Sequence, residues 1–342
     1  MIPVQAILAK PKNTVQWKQE LAEAIEDPAE LLRFVGLQGD ADRLQKAVSA
    51  QKLFKLRVTK SFAKRIEYGN PLDPLLRQVL PLGEEHQEAA GFKADPVGDL
   101  LAQKQTGLLH KYQGRVLLIT TGSCAINCRY CFRREYPYSE ASATQSQWQS
   151  SLDYIAADTS ITEAILSGGD PLMLSDKRLD KLITQLEQIP HLKRLRIHSR
   201  LPIVLPSRIT NTLITRLQLS RLQVVMVVHS NHAQELNHEV AAAIQTLKQA
   251  NITCLNQAVL LQGVNDSLSA LSQLSERLFE IGVLPYYLHL LDKVTGAAHF
   301  DVPEQQALQL IAQLQAQLSG YLVPKLVREI AGQPNKTPVY GG

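Results

Sequence analysis

The sequence predicts an α/β protein built as an open, partial (β/α)6 barrel with an N-terminal helical cap. Three observations lead to this fold class. Short aliphatic or β-branched segments recur about thirty residues apart in the later part of the chain. Helical patterns, such as Leu179, Leu182 and Leu186, lie between these segments. The part of the chain before the first segment shows helical spacing alone. Six units are too few for a complete eight-stranded barrel, and a doubly wound sheet is the alternative.

The N-terminal part is predicted to be helical. Apolar residues recur at helical spacing from residue 14 to about residue 80. Residues 81–106 are rich in Gly, Pro and charged residues and are expected to form a loop. We therefore expect a helical cap and linker over residues 1–106, followed by the barrel and its C-terminal segment over residues 107–342.

Six strands are predicted where aliphatic and β-branched residues are concentrated. They begin at about Val116, Glu163, Arg194, Val224, Thr253 and Leu284. Polar residues lie at the end of every one of these segments. Because the carboxyl ends of parallel barrel strands meet at one rim, we expect a single functional site there.

Composition narrows the class of protein. A net charge of +4 on 342 residues neither requires nor excludes an anionic partner, and no basic stripe interleaved with aromatic residues indicates a nucleic-acid surface. Four cysteines are too few for a disulfide framework and favour a reducing compartment. No segment has membrane-spanning length, and the N-terminus lacks a signal-peptide core. We expect a cytoplasmic protein with neither a nucleic-acid nor a membrane partner.

Three cysteines carry the strongest chemical signal. Cys124, Cys128 and Cys131 have the spacing C-x3-C-x2-C, which leaves a four-iron cluster one thiolate short and one iron open to a ligand. A zinc site would want four Cys or His ligands, and no second cysteine pair exists. Cys254 lies in an apolar strand, where a buried thiol is the default. Zinc or buried thiols remain the alternatives for the triplet.

A second motif follows the second predicted strand. Ser167, Gly168, Gly169 and Asp170 form a turn in which two glycines would let the backbone approach a ligand closely. The alternative is a plain turn with Asp170 as a helix cap. Its expected place beside the cysteine loop favours the ligand-binding role.

These features resemble the radical S-adenosylmethionine (SAM) superfamily. The resemblance implies a radical-SAM partial barrel, a [4Fe-4S] cluster on the three cysteines, SAM on the open iron and SAM contacts at the glycine turn. It also implies an external low-potential electron donor and a deoxyadenosyl radical that abstracts a substrate hydrogen. The reactive chemistry would belong to the cofactors.

Further segments narrow the resemblance. They are CRYCFRR, SGGDPL, RIHSRLPIVLP, NQAVLL, GVND, PYYLHLLD, SGYLVP and NKTPV. Together they resemble lysine 2,3-aminomutases, which also use pyridoxal 5'-phosphate (PLP). Residues 133–138 and the NKTP ending are most similar to the members that serve translation elongation factor P. That implies conversion of L-α-lysine to (R)-β-lysine, with a separate β-lysine ligase acting on the factor.

The resemblance also implies roles for cofactor-binding residues. Lys336 matches the catalytic lysine that attaches PLP, although by itself it would be interpreted as a solvated tail lysine. Lys111, at a position where arginine is usual, and Arg115 match contacts to the PLP phosphate. Gln257 matches another PLP contact, and His229 a SAM contact. Structural roles would produce the same residue types.

Substrate contacts are implied in the same way. Arg133 matches the arginine that binds the substrate carboxylate; the alternative is a surface arginine. Asp292 and Glu329 match carboxylates that bind the ε-ammonium of lysine, with Glu329 where enzymes of free lysine carry aspartate. The alternative functions are a lysine 2,3-aminomutase of lysine catabolism or biosynthesis, a radical SAM enzyme without PLP, and a non-catalytic zinc-binding module.

Overall fold

The computed structural model describes residues 14–138 and 148–340. Its strands form one ten-stranded sheet in which every strand pairs with its neighbours in chain order. They are β1 (Gln103–Gln105), β2 (Leu108–Tyr112), β3 (Arg115–Ile119), β4 (Glu163–Ser167), β5 (Arg194–Ser199), β6 (Gln223–Val228), β7 (Thr253–Val259), β8 (Leu284–His289), β9 (Lys325–Arg328) and β10 (Thr337–Pro338).

The six central strands confirm the predicted alternation. Strands β3 to β8 run parallel, and each begins within one residue of its predicted start. Strand β9 extends the parallel part, while β1, β2 and β10 are antiparallel additions that the sequence did not predict. Because the strand order never reverses, the sheet is singly wound, which excludes the doubly wound alternative.

The sheet is curved until its two ends approach each other. Tyr112, at the end of β2, donates a hydrogen bond of 2.5 Å to Glu329, which directly follows β9. In a flat sheet these two strands, seven intervals apart, would be separated by roughly 34 Å, at about 4.8 Å per interval. The edge strands β1 and β10 do not pair with each other, so the structure is the expected partial barrel.

The helices of the described residues fall into a group before the sheet and a group that alternates with its strands. They are α1 (Thr14–Ala22), α2 (Pro28–Phe34), α3 (Ala41–Ala50), α4 (Lys60–Ala63), α5 (Pro74–Val79), α6 (Trp148–Ala157), α7 (Asp176–Glu187), α8 (Leu201–Val204), α9 (Asn211–Gln218), α10 (His238–Gln249), α11 (Leu268–Ile281) and α12 (Glu304–Gln317). Within the ranges given above, none is long and apolar enough to cross a membrane.

The early helices pack directly on the barrel. One apolar core cluster contains Leu31 and Phe62 from these helices together with Leu166 and Ile197 from β4 and β5. Burying each such side chain contributes roughly 1.5–3 kcal/mol. The expected division at residue 106 stays a prediction; strand β1 lies before it. The helices are therefore a fixed support for the loops at the barrel rim.

Candidate active site

One cavity of about 490 Å³ lies at the carboxyl ends of the parallel strands. Every residue assigned to the site from the sequence lines it. They are Lys111, Arg115, Cys124, Cys128, Cys131, Arg133, Ser167, Gly168, Gly169, Asp170, His229, Gln257, Asp292, Glu329 and Lys336. The placement of these residues at one rim agrees with the expectation from the barrel topology.

The cysteine loop after β3 is held by residues from the helical region. Arg129, between the second and third cysteines, is fully buried and donates from Nε to Glu85 at 2.8 Å. Arg134 donates to the other oxygen of the same carboxylate, also at 2.8 Å. The backbone of Asn127 pairs with Arg57 at 2.9 Å. These bonds fix the loop before any ligand binds.

The three cysteines form no disulfide, and each is half-buried. Burial, together with the neighbouring thiols, raises the pKa of Cys131 to about 11 and that of Cys124 well above its usual value. Within residues 14–138 and 148–340, no group of three or more His, Cys, Asp or Glu side chains is arranged around a metal ion. A cubane cluster requires no such arrangement, because each thiolate binds its own iron. Three thiols on one short loop therefore suit a cluster that takes one thiolate on each of three irons.

A buried arginine connects the cysteine loop to the rest of the rim. Arg200, after β5, donates a hydrogen bond to the sulfur of Cys128. Its other terminal nitrogen lies 2.8 Å from Gln78 and 3.0 Å from Glu235. In the sequence Arg200 stands at a strand end, and no role was predicted for it. Arg200 therefore links the cysteine loop to Gln78 and Glu235.

The glycine turn packs against the same loop. The amide of Gly169 donates to Thr121 at 2.7 Å, and that of Asp170 donates to Ser123 at 2.9 Å. At Gly168, with φ +127°, an added Cβ would lie 2.5 Å from the Thr121 carbonyl oxygen. Only glycine allows this close approach of two backbones. The turn and the cysteine loop therefore form one unit.

The carboxylate of Asp170 forms hydrogen bonds to other groups of the protein. It accepts hydrogen bonds from the amide of Leu172, the hydroxyl of Ser199 and the amides of Arg200 and Leu201. Burial raises its pKa to about 6. The capping role considered for Asp170 is thus present, and its assignment as a SAM contact stays a prediction.

Lys336 also lines the cavity. Its Nζ is 3.0 Å from Oε2 of Glu329, and 5.8 Å from the centre of the Tyr287 ring. Lys111 is 2.6 Å from Asp99 and 3.4 Å from Glu329. The guanidinium of Arg115 stacks on Tyr112, with 4.6 Å to the ring centre. A side chain that by itself suggested a solvated tail lysine is partly buried against the barrel.

Arg133 is a buried residue, so the surface alternative is wrong. Its Nε donates to Asp99 at 2.7 Å, and its Nη1 donates to Ser167 at 3.2 Å. Burial would lower the pKa of Arg133, but the Asp99 carboxylate outweighs it and the pKa is raised. Asp99 was missed because it lies in a loop of mixed composition, where no pattern marks a buried residue.

Several polar groups of the cavity wall have no protein partner among the described residues. Buried nitrogens or oxygens without a hydrogen bond are His198 Nε2, His229 Nε2, His289 Nε2 and Gln257 Oε1. The carboxylate of Asp292 also has no hydrogen-bond or ion-pair partner among those residues, and burial raises its pKa to about 7. Burial lowers the pKa of His229 to about 4. Unsatisfied buried groups are costly, so this wall fits bound ligands with polar groups.

Comparison with known proteins identifies a matching family model and relatives that share most of the chain. A family model described as "4Fe-4S single cluster domain" matches residues 113–198, which contain the cysteine loop and the glycine turn. The chain is 52% identical over 323 residues to the L-lysine 2,3-aminomutase of Escherichia coli K12, covering 94% of both chains. It is 50% identical over 337 residues to the enzyme of that name from Haemophilus influenzae, covering 98% of both.

More distant relatives carry the same name. The L-lysine 2,3-aminomutase of Clostridium subterminale is 34% identical over 324 residues, which are 94% of this chain and 77% of the clostridial one. The similarity thus spans nearly the whole of the present chain. It includes both walls of the cavity, the cysteine loop and the segment that carries Lys336.

Proposed function

This chain belongs to the L-lysine 2,3-aminomutase family and is therefore an isomerase, and we propose that it converts L-α-lysine to (R)-β-lysine for the modification of translation elongation factor P. The observation that carries the proposal is the shared cavity. Cys124, Cys128 and Cys131 line it together with Lys336 and Asp292. The residues that would hold a radical source, the lysine that would bind PLP and a carboxylate without a protein partner among the described residues thus share one cavity.

The cofactors of the family are a [4Fe-4S] cluster, SAM and PLP. The three cysteine thiolates would hold the cluster, and the turn Ser167 to Asp170 with His229 would contact SAM. Lys336, Lys111, Arg115 and Gln257 would hold PLP. When bound, these groups supply a hydrogen-abstracting radical and an amine-binding carbonyl with an extended π system.

The protein's own residues bind and orient the substrate. Arg133 lines the cavity, and its Nε donates a hydrogen bond of 2.7 Å to Asp99. A planar guanidinium fixed in this way suits a carboxylate. Asp292 also lines the cavity and would bind the ε-ammonium of lysine. Fixing both ends of the substrate would hold its α and β carbons in one position for the reaction.

The aromatic and apolar lining would exclude water from the reacting carbons. Tyr287 lies against Lys336, and Tyr286 stacks on Tyr287 with ring centres 3.8 Å apart. Val259 and Leu291 also line the cavity. A radical that meets only the substrate avoids side reactions, so the enclosure is part of the function. An external low-potential donor of the cytoplasm would supply the electron.

The test uses anaerobically purified protein reconstituted with iron, sulfide and PLP. Lysine labelled with ¹⁵N at the α position is supplied with SAM and a reductant, and products are resolved by chiral chromatography and mass spectrometry. We expect (R)-β-lysine with the label at the β nitrogen, and none from Lys336→Ala. Absence of β-lysine from the reconstituted wild type would contradict the proposal.

A second assay addresses the link to elongation factor P. Free lysine and factor already carrying lysine are compared as substrates, with the β-lysine ligase added afterwards. We expect free lysine to be converted and its product to be attached by the ligase. Rearrangement only on the attached lysine would contradict the order of steps, and fast turnover without attachment would favour a catabolic enzyme.

A further inference from the structure

Glu329 and Lys336 occupy the two ends of the loop that joins β9 to β10. Thr337 pairs with Arg328 in the antiparallel ladder, so the next residue toward the loop on each strand is Lys336 and Glu329, respectively. Their side chains meet with Nζ 3.0 Å from Oε2. The backbone register of the hairpin, and no ligand, sets this distance.

The second oxygen of Glu329 is held from the other end of the sheet. Oε1 accepts a hydrogen bond of 2.5 Å from the hydroxyl of Tyr112 and lies 3.4 Å from Nζ of Lys111. Burial would raise the pKa of Glu329, but Lys336, Tyr112 and Lys111 outweigh it and lower the pKa. Both oxygens of this carboxylate are therefore engaged by the protein itself.

The cavity has five carboxylates, and four of them are occupied in this way among the described residues. Asp99 pairs with Arg133 and Lys111, Glu163 with Arg196, Asp170 with four donors, and Glu329 with Lys336, Tyr112 and Lys111. Asp292 is the fifth, and within residues 14–138 and 148–340 its side chain has no hydrogen-bond or ion-pair partner. One carboxylate is thus free to receive a cation.

The side chain of Lys336 follows an exposed loop and depends on one hydrogen-bond partner to fix its position. Residues 331–335, immediately before it, are all exposed. Among the described residues, Glu329 is the only hydrogen-bond partner of the Lys336 side chain. A reactive amine at the end of an exposed loop would sample many positions, and misplacement by about 1 Å costs on the order of a hundredfold in rate.

We infer that Glu329 is a positioning residue for Lys336, held in place by Tyr112, and that Asp292 alone binds the distal ammonium of the substrate. This inference rests on the proposed function, since it takes lysine as substrate and Lys336 as the residue that attaches PLP. The longer side chain of glutamate, where relatives acting on free lysine were expected to have aspartate, spans the gap between Tyr112 and Lys336. An aspartate at this position is one methylene shorter, so we expect it to lose at least one of these two contacts.

The experiment separates PLP attachment from lysine binding. Apoprotein carrying its cluster is mixed with PLP, and the visible absorbance of PLP attached to a lysine is followed with time; KM for lysine is measured separately. Glu329→Gln, Glu329→Asp and Tyr112→Phe are expected to slow attachment about tenfold or more and to change KM less than twofold. Asp292→Asn, the matched control, is expected to raise KM about tenfold or more with normal attachment.

The opposite pattern would overturn the inference. If Glu329→Gln raises KM as Asp292→Asn does and attaches PLP at the wild-type rate, Glu329 is a substrate contact. If the Glu329 variants do not fold, Tyr112→Phe decides by the same two measurements. If the wild type forms no β-lysine, the proposed function fails, yet the rate of PLP attachment still tests the role of Glu329.

Discussion

Arg200 joins the sulfur of Cys128 to the buried carboxylate of Glu235: one terminal nitrogen donates to the thiol and the other lies 3.0 Å from the carboxylate. The side chains of Arg200 and Glu235 are both almost completely buried. Burial would lower the pKa of Arg200, but Cys128, Tyr130 and Glu235 outweigh it and raise the pKa. The cysteine loop is therefore connected to a buried ion pair between Arg200 and Glu235. Removing one charge of this pair should have measurable consequences.

Replacing Arg200 by methionine leaves Glu235 buried without its cation. We expect the free energy of unfolding to fall by about 3–5 kcal/mol, the usual cost of removing one partner of a buried pair. Denaturant unfolding of the cluster-free protein measures this. Arg277→Met, which removes an arginine from a largely exposed pair with Glu280, is the control and should cost far less. Equal losses for the two variants would contradict the assigned importance of the buried pair.

Replacing Gly169 by alanine should displace the cysteine loop. An added Cβ would fall inside contact distance of the Ser123 carbonyl, which is backbone and has little room to move. We expect a loss of about 1–3 kcal/mol in stability and fewer irons bound after reconstitution. Gly320→Ala is the matched control, since a Cβ added at Gly320 would have no other atom within 4 Å. Normal iron content in Gly169→Ala would show that the loop tolerates the shift.

The pKa of Asp292 predicts how lysine binding depends on pH. Burial raises this pKa to about 7, against opposing effects from Lys336 and Lys111 and supporting ones from Glu329 and Asp99. Below about pH 7 the carboxyl is mostly neutral and cannot pair with an ammonium, so KM for lysine should rise as the pH falls. The measurement is KM across the neutral range in the wild type and in Asp292→Asn, which should lack this dependence.

The same shift has a consequence for stability. Since the pKa of Asp292 in the folded state lies above its unfolded value, the folded protein binds more protons. The contribution of Asp292 is therefore fully present below the unfolded pKa and is lost as the pH rises through about 7. Asp292→Asn should gain stability relative to the wild type at alkaline pH. An identical pH dependence of unfolding in both proteins would argue against the raised pKa.

Asp99 should matter for substrate binding through Arg133, which donates a hydrogen bond to it. Asp99→Asn removes the charge that holds Arg133 at 2.7 Å. A hydrogen bond to a charged group is worth about 1.5–3 kcal/mol, so KM for lysine should rise roughly tenfold to a hundredfold. Asp301→Asn, from a partly exposed pair with Lys293, serves as the control. An unchanged KM would mean that Arg133 is held adequately by Ser167 alone.

The sequence was sufficient for the central strands because aliphatic and β-branched residues are concentrated in each of them, in runs as in β6 or in alternation with polar residues as in β5. It was insufficient for β2 and β9, where short segments such as Lys325–Arg328 mix charged and apolar residues. Their place follows from curvature of the whole sheet, which no local pattern encodes. Asp99 and Tyr112 were missed for the same reason, since their partners lie far away in the chain.

Some site residues were predicted from a local motif and others from the resemblance to a family. The cysteine spacing alone predicted an open cluster, because the number of cysteine ligands can be counted within one short segment. Lys336 depended on resemblance alone, because its burial arises from a hairpin that folds back on the barrel. The pairing of Glu329 with Lys336 could not be predicted from either, since it depends on the register of two strands that the sequence did not indicate.

The residues that close the barrel are synthesised at different times. Tyr112 and Glu329 are separated by 217 positions, so a ribosome that adds about 5–20 residues per second makes Tyr112 roughly 10–40 s before its partner. The cysteine loop is made soon after Tyr112, whereas Glu329 and Lys336 follow much later in the chain. Iron and sulfur can thus be delivered to a nascent chain whose cavity is still open, whereas PLP must wait until Lys336 has been made.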